Sequence, residues 1–274
     1  MQQPDGEFAH ELKVALATAS RAAAVLMRHF AEPSESWEKS KDNPVTHADL
    51  EADRTIRAQL HRAFPEDALR SEETVGEASG HPSRRAWLID PMDGTKEFVA
   101  RIPEFAVSIG LAEAGEPVVG VVLNPAAGVA VLASRGGGTW RAPWKAGESG
   151  TFARMAVSRC ARLSDAVVIA SRTEISRGAF EPYAKWFREV RPMGSIAWKL
   201  AALASGHGDL NVSFAPKSEW DVCAGDLLVR EAGGVYLSFD GLPRTYNQPD
   251  PRIEQEMAAG SPALVEAFCR RVRA

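Results

Sequence analysis

Cysteine is scarce: three residues in 274, Cys160, Cys223 and Cys269, odd in number and far apart. That usage suits a reducing cytosol and argues against a disulfide framework or a zinc site. No apolar run approaches the roughly 18 residues that a membrane-crossing helix needs. The segment Met1-Gln2-Gln3-Pro4-Asp5-Gly6-Glu7 has neither a basic nor an apolar stretch, so no signal peptide is expected and the expected location is cytoplasmic. Charge of one sign is not in excess. With 32 basic and 36 acidic residues the formal charge is −4, which gives no support for broad nucleic-acid or membrane-surface binding. The six histidines lack ligand spacing such as H-x-x-E-H, and the seven tryptophans do not interleave with a basic stripe. Gly136, Gly137 and Gly138 lack the following Lys-Ser/Thr of a P-loop.

Apolar residues are plentiful, at 45%, enough for one large domain or two subdomains. Leu12, Leu16, Ala19, Ala23, Leu26 and Phe30 recur at steps of three and four, which predicts an amphipathic helix over 8–30. A second helix is predicted after Thr46, an N-cap type with Asp49 three positions on, and ends at Pro65. The period then changes to strands over 86–90, 105–112, 118–124 and 129–134, an antiparallel meander. Residues 136–151 read as a flexible connection between an α+β subdomain, 1–150, and an α/β subdomain, 151–274. In the latter, strands are predicted at 167–170, 210–213 and 235–237, and helices at 178–189, 195–205, 221–232 and from Ser261.

The most informative segment is Trp87-Leu88-Ile89-Asp90-Pro91-Met92-Asp93-Gly94-Thr95. A buried-looking strand runs into two carboxylates that cannot both stay ionised without a cation. Oxygen donors point to a hard divalent metal. If a helix starts at Gly94 and Thr95, their amides would hold an anion. Metal beside an anion cradle points to phosphate chemistry. Asp49, Glu72, Glu73 and Asp221 extend the acidic set. Each has a plainer reading too: Asp49 as part of a capping box, Glu72-Glu73 as a solvated loop, Asp221 as a helix cap.

Asp90-Pro91-Met92-Asp93-Gly94-Thr95 matches the D-P-x-D-G-T signature of the inositol monophosphatase superfamily of lithium-sensitive, magnesium-dependent phosphatases. Val45-Thr46-His47-Ala48-Asp49 resembles its V-T-x-x-D, and Ser71-Glu72-Glu73 its E-E step. Trp220-Asp221-Val222-Cys223-Ala224-Gly225, then Glu231-Ala232-Gly233-Gly234, resembles its W-D-x-x-A-G…E-A-G-G block. The resemblance covers the chain from about residue 10 to the last helix. It implies an α+β fold, a layered α/β/α/β/α sandwich of the inositol monophosphatase and sugar phosphatase type. It implies two or three Mg²⁺ ions on Glu72, Asp90, the Met92 carbonyl, Asp93 and Asp221. Catalytic roles fall to Asp49, Glu72 and Thr95, with Gly94 and Thr95 binding phosphate. A homodimer and a small phosphorylated substrate are also implied, with phosphate leaving by direct water attack.

Within the superfamily the chain is most similar to the CysQ-type 3′(2′),5′-bisphosphate nucleotidases. Asp93-Gly94-Thr95-Lys96-Glu97-Phe98 resembles their D-G-T-K-E-F, and Gly194-Ser195-Ile196-Ala197-Trp198-Lys199 their G-S-S-x-K. The implied substrate is 3′-phosphoadenosine 5′-phosphate, hydrolysed to AMP and phosphate, with Arg172, Gly194, Ser195 and Lys199 as contacts. Lys199 also reads as a solvated surface lysine. There are departures. Ser171-Arg172 resembles their S-R-S-H but continues Thr173-Glu174, so the histidine is absent; Ser213 stands where an arginine is frequent, and Ala215 replaces a glycine. Phe214 stands where the inositol branch carries its glutamate, and an apolar wall there disfavours a polyol. An inositol-, sugar- or histidinol-phosphate phosphatase, and a non-catalytic regulatory protein on the same fold, stay open.

Overall fold

Five layers stack in the order helices, sheet, helices, sheet, helix. The computed structural model describes residues 6–31, 36–40, 43–74, 84–146 and 148–273. The first layer pairs α1 (Ala9–Ala31) with α2 (His47–Ala63), separated by the hairpin of β1 (Ser36–Ser40) and β2 (Asn43–Thr46). Helix α1 buries an alanine-rich stripe, Ala15, Ala19, Ala22 and Ala23 between Leu12 and Leu26, against Ala48, Ala52, Ile56 and Leu60 of α2. Small side chains at such steps let two helices approach closely.

The second layer is a sheet of β3 (Ala68–Ser71), β4 (Arg85–Asp93), β5 (Ala106–Glu113), β6 (Glu116–Asn124), β7 (Val129–Ser134), β8 (Gly138–Lys145), β9 (Glu148–Ser149) and β10 (Ala153–Arg154). The spatial order runs β10-β8-β7-β6-β5-β4-β3, with β9 beside β8. Within this sheet, among the described residues, only β3 and β4 pair in parallel. The expected connection over 136–151 is corrected here. Gly137 donates to Ser134 O in a tight turn, and β8 pairs with β7 from Gly138 to Pro143 and with β9 at Trp144 and Lys145. Strand β4 pairs regularly with β5 up to Asp90↔Ser108, then resumes at Asp93↔Ala106, so it carries an extra residue there. A single helical turn, α3 (Thr95–Val99), follows.

The second half adds β11 (Val167–Ser171), α4 (Arg172–Ser176), β12 (Glu189–Met193), α5 (Ile196–Ala204), β13 (Leu210–Ser213), β14 (Lys217–Ser218), α6 (Glu219–Glu231), β15 (Val235–Ser238), β16 (Arg252–Ile253), β17 (Met257–Gly260) and α7 (Pro262–Val272). Its main sheet has the order β12-β11-β13-β17-β15. Helices α5 and α6 fill the middle layer: Leu200, Leu203, Val222, Ala224 and Leu228 pack with Leu88, Ala106 and Val122 of the first sheet and Ala259 of the second. Helix α7 covers the outer face through Leu264, Val265 and Phe268. The helix expected over 178–189 does not form. Pro182 interrupts it, and turns with one 3₁₀ turn at Ala184–Trp186 carry Phe180 and Phe187 into the core. Among the described residues, no helix is long and apolar enough to cross a membrane.

Candidate active site

The end of β4 delivers Asp90, the Met92 carbonyl and Asp93 to one place, and the Gly94 turn then changes the chain's direction. Gly94 has φ of 105°, and a Cβ there would stand 2.9 Å from Glu104 O, so only glycine fits without strain. A polar cavity of about 270 Å³ opens beside this turn. Glu72, Asp90, Asp93 and Asp221 line it, with Met92, Gly94 and Thr95. Four of the six acidic residues named from sequence thus come together, and Asp49 joins through one hydrogen bond. Glu73 does not line the cavity.

These carboxylates repel one another. Burial, then the charges of Glu72, Asp93 and Asp221, push Asp90 well above the ordinary carboxylate range. Burial and Asp93 push Asp221 up to about 7, against the opposing pull of the Ser218 amide and Lys217. Asp93 is raised by burial, although Ser195 Oγ at 2.7 Å and Ala197 N at 2.6 Å donate to its Oδ2. Oxygen donors in such a state suit a hard cation, whose charge would relieve all of them. They line a shared wall rather than a closed cage. Among the described residues, no three His, Cys, Asp or Glu side chains are grouped so as to hold an ion by themselves.

Asp49 holds both of its sequence readings. Its Oδ2 accepts from Thr46 N and Thr46 Oγ1, each at 2.7 Å, and so completes the capping box of α2. Its Oδ1 accepts from Thr95 Oγ1 at 3.1 Å. Thr95 Oγ1 is also 3.2 Å from Met92 O, and its one proton serves one acceptor at a time. Burial pushes Asp49 up to about 6. Asp221 is the third residue of α6, accepting from Ser218 N at 2.7 Å, a capping position that still faces the cavity.

Gly194 and Ser195 enter the cavity from the second half. A Cβ on Gly194 would meet the Glu97 side chain at 2.4 Å. Ser195 has φ of 56°, unusual for a side chain with a Cβ. Its hydroxyl caps α5 at Trp198 N and donates to Asp93, two bonds that offset the strain. Lys199 is not a solvated surface lysine: it is 4% exposed, lines the cavity and reaches Met193 O at 3.4 Å. Burial, opposed by Asp93 and helped by Lys217, lowers it to about 8.

Arg172 is not brought to the cavity wall. It pairs with Glu104, whose Oε2 also accepts from Gly194 N at 2.7 Å. Phe214 corrects the expectation of an apolar wall. Its ring stacks on Tyr183 at 5.4 Å and meets Phe180 and Phe239, so it belongs to the outer core. Ser171, Thr173, Ser213 and Lys217 line the cavity instead. Lys217 lies between Pro216 and Glu219-Trp220-Asp221 and belongs to none of the motifs read from the sequence, so nothing there marked it.

The inositol monophosphatase family model matches residues 9–273. An inositol-1-monophosphatase of Mesorhizobium japonicum is 34% identical over 240 residues, 84% of this chain and 86% of the relative. A histidinol-phosphatase of Streptomyces coelicolor is 36% identical over 248 residues, 86% and 90%. The crystal structure of the extragenic suppressor protein suhB from Bartonella henselae superimposes with a TM-score of 0.82 at 28% identity, covering 97% of this chain and 99% of the other. A match of this extent, on a fold and a cavity of this kind, makes the chain a member of the inositol monophosphatase family.

Proposed function

We propose that the chain is a Mg²⁺-dependent phosphomonoesterase whose substrate carries a second anionic group, as 3′-phosphoadenosine 5′-phosphate does. A phosphatase of this family is the coarse reading that its relatives support, and the family is generally metal-dependent, commonly on Mg²⁺. The finer reading rests on Lys199, an enclosed ammonium in the same cavity as the carboxylates. Once the carboxylates are neutralised, its charge is left for a substrate anion, and a cationic substrate is disfavoured.

Glu72, Asp90, Asp93, Asp221 and the Met92 carbonyl would hold the ions. Bound there, Mg²⁺ supplies charge for the phosphoryl oxygens and activation of water. Ser195 and Ala197 N fix the Asp93 carboxylate. The Gly94 and Thr95 amides receive the phosphate. Thr95 Oγ1 accepts a proton from the attacking water and passes its own to Asp49 Oδ1, a carboxyl whose position near 6 suits a base at neutral pH. Arg172 acts indirectly, holding Glu104 against the Gly194 turn.

A second reading has its own observation. Among the described residues, no aromatic ring lines the cavity, which suits a polyol phosphate better than a stacked base. Phosphate release with Mg²⁺ from 3′-phosphoadenosine 5′-phosphate, inositol 1-phosphate, fructose 1,6-bisphosphate and histidinol phosphate separates the two. The expected outcome is a preference of at least about tenfold in kcat/KM for the nucleotide, ~1.4 kcal/mol of discrimination. A preference for a monophosphate replaces it with the second reading.

A further inference from the structure

We propose that Lys217 reads the substrate's second anionic group and that Glu174 is the positioning residue that holds the Lys217 turn in place, an inference that rests on the phosphomonoesterase reading above. Lys217 lines the cavity with Lys199, Thr173 and Ser213. Its Nζ donates to the carbonyls of Ala215 at 3.0 Å and Pro216 at 3.4 Å, both on its own turn. Among the described residues no carboxylate stands at ion-pair distance from it, so an ammonium with donor capacity to spare faces a polar cavity.

The turn is clamped at both ends. Beyond it, Lys217 and Ser218 pair with Ile253 and Arg252 and lead into α6, which carries Asp221. Before it, Glu174 reaches across from α4. Its Oε1 accepts from Phe214 N at 2.9 Å, Ala215 N at 2.7 Å and Ser213 Oγ at 3.4 Å. Glu174 is 7% exposed, and its Oε2 is enclosed with no hydrogen-bond partner. Leaving one oxygen of a buried carboxylate unmatched is costly. Two short charge-assisted bonds to consecutive amides offset that cost and fix the turn that presents Lys217. A phosphomonoester with a further phosphate is the ligand class such a wall fits.

Lys217 has a rival role, because its charge also acts on Asp93 and Asp221. A ratio separates the two. The test compares kcat/KM for 3′-phosphoadenosine 5′-phosphate with that for 3′-AMP, which lacks only the second phosphate. Wild type, Lys217→Met, Glu174→Ala and Glu174→Gln are measured, with Tm as the check on folding. Lys217→Met and Glu174→Ala are expected to lower the ratio by at least about tenfold, mainly through KM. Glu174→Gln keeps an acceptor for both amides and is expected to restore it. An unchanged ratio, or equal loss on both compounds, overturns the inference. If Glu174→Ala does not fold, Lys217→Met decides alone. If neither compound is turned over, the same ratio is read from Kd by calorimetry. A wild-type preference below about tenfold defeats the bisphosphate reading, while the shift on removing Lys217 is still measured.

Discussion

Replacing Asp49 by Asn keeps an oxygen to accept from Thr46 N and Oγ1 and removes a buried charge. The Asp49 carboxyl moves from 3.8 to about 6 on folding, chiefly through burial. That gap of about two pH units is worth about 3 kcal/mol against the ionised form, at ~1.4 kcal/mol per unit. The native carboxyl keeps its proton to higher pH than the unfolded one. Through this group alone the metal-free wild type therefore loses stability as pH rises from about 4 through about 6, and this contribution is level above that; the other raised carboxylates are present in both proteins and drop out of the difference. Asp49→Asn has no such proton to lose. Relative to the wild type it is expected to gain up to about 3 kcal/mol between pH 4 and pH 8, roughly 6–12 °C in Tm for a chain of this size. Thermal unfolding in EDTA across that range measures it. A difference that stays flat with pH, or moves the other way, refutes the burial argument. With Mg²⁺ the same variant is expected to lose at least about 10²-fold in kcat, because Thr95 has no base behind it. Full kcat would refute the proton role, whatever the stability shows.

Gly94→Ala is expected to destabilise by roughly 2 kcal/mol or more, since φ of 105° and the Glu104 carbonyl both oppose a side chain; a Tm equal to the wild type would contradict that. Asp93→Asn is expected to abolish both phosphate release and the rise in Tm on adding Mg²⁺. A variant still stabilised by Mg²⁺ as strongly as the wild type would remove Asp93 from the ion site. Millimolar Li⁺ is expected to inhibit turnover by competing with Mg²⁺, and unchanged rates in excess Li⁺ would count against the family's metal arrangement in this chain.

Much of the fold was legible because α1 and α2 keep an apolar stripe at helical spacing and β4 to β7 are short apolar runs, buried on both faces and bounded by turns. What escaped was set by tertiary context. Strand β17, Met257-Ala258-Ala259-Gly260, has the composition of a turn or helix, yet it is an interior strand of the second sheet, paired on both sides with β13 and β15. Strand β12 carries Pro192, which an edge tolerates. Three glycines hid β8, although Gly136 and Gly137 belong to the turn and only Gly138 enters the strand. In the site, the carboxylates were legible as a spaced signature. Lys217 and Glu174 were not, because their meaning lies in a contact between residues about 40 apart in the chain.

The extra residue in β4 has an arithmetic consequence. Along an even ladder, positions 90 and 93 differ by an odd number and would look out on opposite faces of the sheet. Their partners, Ser108 and Ala106, differ by two and share a face. The bulge thus restores parity, turning both aspartates toward the middle layer, where Ala106 packs with α5 and α6. Removing one residue between Asp90 and Asp93 would leave every side chain of the signature in the protein and put half of its charge on the wrong side of the wall.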